Sequence, residues 1–597
     1  MRLIYEATGA LTIVWLVLLF VQGVLPGLTV YLTKLVLDGA EAALNGGMSW
    51  ENMSQLLVPA GAMGAALLTA QIVSAVQKYV QTAQAEKLQD HVQNVVQAKA
   101  IELEFAFFDA SDSYDKLERA SGEAGSRTNA LLGSAGGLLQ SAVGIIGIGA
   151  VLVPYGLWLP LALIAAAAPA LAVVVRHNRR YHSWWEDSTP DRRMANYFNI
   201  LLTNNVTAAE MRLLSLGEFF RESYATLRAR LRGERLDLLK KQGIGNVLAG
   251  LTGLAVTGFA MAWIIVRALR GAASLGDLGL FYRAFNEGQN LMRTTLSHFG
   301  QLLTSMLFIQ HLFEFMELEP TVTSPTESQP VPEDLEDGIR FHDVTFAYRG
   351  TDRPAIRDFN LHVPAGKVTA IVGPNGAGKS TLTKLISRLY DPDEGRVTFD
   401  GVDIRSFDLE DLWGFVTLML QTPITYHATA AENIAMGSLG REVTEERLVE
   451  AAKGALIHKK LSGLPQGYDT QLGRYFGSGI ELSGGEWQRV MLARAFYRQS
   501  PIVMLDEPTS AMDSWTENQW LQRFGQLVQG RTTVIITHRF TTAMCADVIH
   551  VMVNGRIIES GNHQELLALG GHYADSWNAQ VEQGWRPVSE LEPEVPG

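Results

Sequence analysis

Residues Gly373, Pro374, Asn375, Gly376, Ala377, Gly378, Lys379, Ser380 and Thr381 follow the spacing G-x-x-x-x-G-K-S-T. Glycines at these places let successive backbone N–H groups turn onto a chain of phosphates, and the lysine reaches the outer two. The hydroxyl of Ser380 suits a Mg2+ ion. A strand-like run, 367–372, precedes the loop and an apolar helical pattern follows it, so a helix N-terminus would add its dipole to the anion site. A second strand-like run, 501–505, ends in Asp506 and Glu507. Buried parallel strands present such acids at their C-terminal ends, where ligands sit. Asp506 is placed to hold Mg2+ through water and Glu507 to polarise an attacking water. A third run, 533–537, ends in His538, which suits a contact to the γ-phosphate. These residues together imply a nucleoside triphosphate with Mg2+. Between them lies Leu482-Ser483-Gly484-Gly485-Glu486 at the head of another helix, a second place for an anion. One nucleotide does not need two cradles, so this one is read as serving a nucleotide held by a second copy.

The elements that position these residues fill only the second half of the chain. The first half contains runs without Asp, Glu, Lys or Arg at 7–33, 52–77, 128–175, 242–266 and 294–313. About 20 mostly apolar residues span a bilayer. The 48-residue run 128–175 is too long for one span and breaks near Pro154-Tyr155-Gly156. Six spans are predicted, at about 9–33, 55–77, 129–153, 157–175, 243–266 and 278–312, within a transmembrane domain over 1–316. The loops 81–127 and 176–241 hold five and thirteen Lys or Arg, whereas 35–54 and 154–156 hold none. The positive-inside rule therefore puts both long loops, and the second half of the chain, in the cytoplasm of a cell-membrane protein. Gln81–Leu103 and Leu213–Gln242 read as continuous helices. The turn chemistry at 107–112 and 207–210 marks tips that could touch a partner. Arg283, Glu287, Arg293 and His298 in the sixth span are read either as a polar wall of a pathway or as an internal pair, Arg283 with Glu287. A Pro-rich linker occupies 317–338, the nucleotide-binding domain 339–580, and 581–597 reads as a disordered tail. The net charge, 49 − 62 = −13, argues against nucleic acid as a partner. The single cysteine, Cys545, excludes internal disulfides and reads as core. The fold class is an all-α six-helix transmembrane domain followed by an α/β P-loop cassette.

These motifs resemble the ATP-binding cassette superfamily over nearly the whole chain. With six spans ahead of the cassette, the chain is similar to the exporter half-transporters. The resemblance implies further site residues: Tyr348 as the nucleotide-stacking aromatic, Gln421 as the coupling-loop glutamine and a metal ligand, and Asp513 at the dimer interface. It also implies that Ser483 and Gly485 meet the nucleotide of a second half-transporter, and that the tips near 108–113 and 208–212 are coupling helices. Membrane lipid and a transported substrate (peptide, lipid or amphipathic drug) are the other expected partners. The signature ends in Glu486 where glutamine is commoner, and the stretch 472–481 before it is longer than usual. That stretch and Glu486-Trp-Gln-Arg489 resemble exporters of modified, lantibiotic-like peptides. The implied function is ATP-driven export by alternating access. The alternative is an ATP-gated channel or a regulatory subunit.

Overall fold

A computed structural model describes residues 6–46, 49–109, 117, 124–351, 353–422, 424–440, 442–475, 477 and 479–583. The chain divides into two compact units, Met1–Glu102 with Tyr114–Leu318 and Leu103–Ser113 with Glu319–Gly597.

The first unit is helical. Its elements are α1 (Ala10–Gly46) and α2 (Trp50–Glu102). After a short helix, α3 (Phe105–Asp109), which packs in the second unit, come α4 (Ala124–Leu152), α5 (Trp158–Asp187), α6 (Thr189–Thr203), α7 (Ala208–Leu213), α8 (Gly217–Leu269) and α9 (Leu275–Met316). Five of them (α1, α2, α4, α5 and α8) are long and apolar enough to cross a membrane by length and composition. The sixth long helix, α9, which carries Arg283, Glu287 and Arg293, is not among those five. Many apolar side chains on these helices point outward, such as Leu68, Val247 and Phe259 at 66–67% exposure, as a lipid solvent requires.

Pro26, Pro59 and Pro169 lie inside α1, α2 and α5, and the helices continue through them. Where α1 crosses α4, a Cβ on Gly27 would stand 3.0 Å from the backbone carbon of Gly147, so small residues set this close approach. The break near Pro154 is a single tight turn, Val153–Tyr155. The second long helix starts at Gly217 rather than Leu213. Residues 208–213 form their own short helix, and Ser215 takes a left-handed backbone, which ends it.

A capping box starts α9: Ser274 Oγ accepts from Asp277 N–H, and Asp277 accepts from Ser274 N–H. Asp277 also pairs with Lys34 Nζ of α1 at 2.7 Å and accepts from Tyr155. Arg283 donates to Thr33 Oγ1 at 2.8 Å, and no ion pair joins it to Glu287 among the described residues, so the internal-pair alternative is not what forms. Inside the unit, a cavity of about 280 Å3 is lined by His177, Asn178, Gln242, Ser297 and Gln301, among others.

The second unit holds two sheets. One is antiparallel, in the order β2 (Ile356–Pro364), β1 (Gly338–Phe346), β4 (Glu394–Phe399) and β5 (Val402–Asp403). The other runs β10 (Arg556–Gly561), β9 (Val548–Val553), β3 (Val368–Val372), β8 (Thr532–Thr537), β7 (Ile502–Asp506), β6 (Val416–Met419), and only β10 is antiparallel. β7 and β8 are buried at every position, which is why they read as unbroken apolar or β-branched runs. Three helices matter below: α10 (Lys379–Ile386), α11 (Gly484–Arg498) and α12 (Ser514–Leu527). Cys545 is exposed rather than in the core. The last helix runs to Gln583, past the expected limit of 580, and the rest of the expected tail lies outside the described residues.

Candidate nucleotide site

The strand order β3–β8–β7–β6 brings four separate stretches to one edge. The C-terminal ends of β3, β8 and β7 carry Gly373, His538 and Asp506-Glu507, and Gln421 follows two residues after β6. Gly373 has φ 153°, and a Cβ there would stand 2.0 Å from Met552 O of β9, so only glycine lets the loop leave the sheet at this point. Gly378 caps α10 in the left-handed conformation. Lys379 curls back over the loop, its Nζ donating to the carbonyls of Gly373 at 2.7 Å and Pro374 at 2.9 Å. Burial pushes its pKa down, opposed by the carboxylates of Glu507 and Asp506. Burial pushes the Asp506 pKa up, opposed by the Ser380 hydroxyl and the Lys379 ammonium.

Glu507 sits in a left-handed backbone, φ 50°, unusual for a residue with a side chain. Its N–H donates to Ile536 O at 2.8 Å. Its carboxylate meets His538 Nδ1 at 2.9 Å on one oxygen and accepts from Gln421 Nε2 at 3.0 Å on the other. Burial acts to raise its pKa, but these two partners outweigh it and hold the carboxyl below its ordinary value. Three residues proposed separately from sequence thus form one cluster.

Tyr348 bonds Thr381 through its hydroxyl at 3.1 Å and lies edge-on to Phe346 and Tyr390. Lys384 Nζ is 4.9 Å from its ring centre. Tyr390 donates to Asp109 of α3 at 2.6 Å, and Lys384 reaches the same carboxylate at 3.5 Å. Burial and this carboxylate push the Tyr390 pKa up. Tyr390 and Lys384 belong to no motif, and sequence reasoning passed over them. Residues 110–113 of the first expected tip lie outside the described residues, whereas the second tip is α7.

No hydrogen bond among the described residues joins Ser483, Gly485 or Asp513 to the phosphate loop. Ser483 caps α11 in a capping box with Glu486. Gly485 lies so close to Ala511 O that a Cβ would stand 2.4 Å from it. Asp513 caps α12 through Thr516 N–H at 2.9 Å. Gln488, quoted from sequence only within the run Glu486-Trp-Gln-Arg489 and given no role of its own, is 1% exposed and ties α11 to the loop that carries Glu507. Its Nε2 donates to Glu507 O and Ser510 Oγ, both at 2.9 Å, and its Oε1 accepts from Ala511 N–H at 2.9 Å. A buried-type position on an amphipathic helix filled by an amide was the only available signal.

Residues 356–510 match the family model for ABC transporters. An ATP-dependent lipid A-core flippase of Methylobacillus flagellatus is 35% identical over 61% of this chain and 60% of its own length. The subtilin transport ATP-binding protein SpaT of Bacillus subtilis is 27% identical over 79% of this chain and 76% of its own. Among solved structures, a bacterial Atm1-family ABC exporter with ATP bound superposes with a TM-score of 0.79 at 25% identity, covering 95% of this chain and 98% of that one. The chain spans less than two thirds of the length of the first curated relatives it matches, 60% for the flippase above.

Proposed function

We propose that this chain, which carries an ABC transporter domain and has the fold of ABC exporters, is one half of an ATP-driven exporter. The observation that carries this reading is the cluster at the sheet edge: Glu507 gripped by Gln421 and His538, beside Asp506 and the Lys379 loop. In this reading Lys379 exchanges its two loop carbonyls for the β- and γ-phosphates. Residues 373–381 wrap the phosphate chain with backbone N–H groups. Tyr348 stacks the base. The ionised Glu507 orients and polarises the attacking water, and His538 steadies the γ-phosphate. Oxygen donors fit Mg2+: the Ser380 hydroxyl, the Asp506 carboxylate and the Gln421 amide oxygen. A bound Mg2+ would neutralise phosphate charge.

Ser483 and Gly485 are assigned to the nucleotide of a second half-transporter, and Asp513 to the interface between the copies. Counting α9 as a sixth span, and with the Lys and Arg of the long loops on the inner face, we assign the cassette to the cytoplasmic side of the cell membrane. The cargo is a peptide, a lipid or an amphipathic drug. The names of the relatives, lipid A-core flippase and subtilin transport protein, support that range. In reconstituted vesicles, candidate cargo should stimulate ATP hydrolysis and accumulate on one side. Glu507→Gln should keep ATP binding and lose turnover. Undiminished turnover in that variant would remove Glu507 from its role, and ATP-dependent ion conductance without cargo movement would replace the exporter reading with a gated channel.

A further inference from the structure

Glu486 puts a negative charge at the N-terminus of α11, the helix end whose Ser483 and Gly485 are assigned above to the nucleotide of a second half-transporter. A bare carboxylate there would repel that nucleotide's phosphates. The structure instead gives each of its oxygens a partner. One oxygen accepts from Ser483 N–H at 2.8 Å, closing the capping box, and the other pairs with Lys460 Nζ at 2.9 Å. The Glu486 side chain is 17% exposed and that of Lys460 44%. Burial acts to raise the Glu486 pKa, but the Ser483 N–H and Lys460 outweigh it and hold it below its ordinary value, so the group is an anion at neutral pH.

Lys460 is not a stray surface residue. It sits on the short helix His458–Ser462, anchored by the fully buried Leu461. The turn entering that helix is tied to α11 by Arg489, which donates to Leu456 O at 3.0 Å. A glutamine at 486 could accept the same Ser483 bond through its amide oxygen and would need no cation.

We propose that Lys460 is a positioning residue for ATP capture: it neutralises Glu486, so that the N-terminus of α11 can receive the γ-phosphate of the ATP held by the other copy. This rests on the function proposed above. The effect is electrostatic, so it belongs to ATP affinity rather than to the chemical step, and salt weakens it.

The test is steady-state ATP hydrolysis by the full-length chain at low and at high salt. In Lys460→Ala, KM for ATP should rise about three- to tenfold at low salt, with kcat within about twofold, and the rise should shrink at high salt. Lys460→Arg should restore the parent KM. In a Glu486→Gln background, Lys460→Ala should change KM little, because there is no carboxylate left to neutralise. An unchanged KM in Lys460→Ala, or the same rise with and without Glu486→Gln, overturns the proposal. If the parent chain itself hydrolyses no ATP, the functional reading fails first, a different result from a parent that turns over with Lys460→Ala indistinguishable from it.

Discussion

Replacing Gln488 by methionine keeps the volume and removes the polar tie between α11 and the loop that carries Glu507. Three hydrogen bonds are lost: to Glu507 O, to Ser510 Oγ and from Ala511 N–H. The Ala511 and Ser510 groups have access to water, and the Glu507 carbonyl keeps Ser510 N–H as a donor at 3.2 Å, so each lost bond costs about 0.5–1.5 kcal/mol. Glu507 holds φ 50°, and a side-chain-bearing residue in that region stores about 1–3 kcal/mol of strain. Three bonds oppose this strain, Glu507 N–H to Ile536 O and, on Glu507 O, those from Ser510 N–H at 3.2 Å and Gln488 Nε2, and the substitution removes the last. A loss of about 0.5–1.5 kcal/mol in the hold on the Glu507 backbone corresponds to roughly a 2- to 12-fold fall in kcat. KM for ATP should stay within about threefold, since no phosphate-loop contact is touched. Thermal unfolding should shift by about 2–4 °C per kcal/mol. Gln488→Glu makes a sharper test. It keeps the acceptor for Ala511 N–H but faces the Glu507 carbonyl with an oxygen in place of a donor, so its kcat should fall below that of Gln488→Met. Steady-state ATP hydrolysis and a melting curve measure both variants. A Gln488→Met enzyme with lowered melting temperature and a kcat within twofold of the parent would refute the reasoning, because Gln488 would then support folding alone.

Gly373→Ala should abolish ATP binding, since its methyl group would stand 2.0 Å from Met552 O; retained binding of a fluorescent ATP analogue would show that the loop can shift. The Glu507 carboxyl is held below its ordinary value, so its share of stability is present above the unfolded-state pKa and is lost only as pH falls through the lower folded one. For the same reason the acid limb of the pH–rate profile should lie below the usual glutamate range. Gln421→Ala removes one donor to Glu507, so the limb of its residual activity should move to higher pH; a limb at the same or a lower pH would contradict the stated cause.

The contiguous motifs were legible in the sequence because their chemistry is local. A phosphate loop needs its glycines at fixed spacing, a buried strand needs its run of apolar residues, and a helix head such as Ser483–Glu486 carries its own capping box. Five long apolar helices were legible for the same reason, since a lipid solvent asks for length and lack of charge. What was not legible depended on which strands are neighbours. Nothing local says that β8 lies between β3 and β7. Yet that order alone brings His538 and Gln421 to the two oxygens of Glu507, residues 31 and 86 positions away along the chain. Gln488 and Lys460 were hidden for a related reason: an amide on a buried helix face and a lysine on a short helix are ordinary until their partners are known. Arg283 could have paired with Glu287 one turn on, but Thr33 of α1 is its partner. Side-chain type and spacing decide which groups a chain offers. Only packing across the sheet and between helices decides which of them meet, because hydrogen bonds and ion pairs act over a few ångströms of space, whatever the separation in sequence.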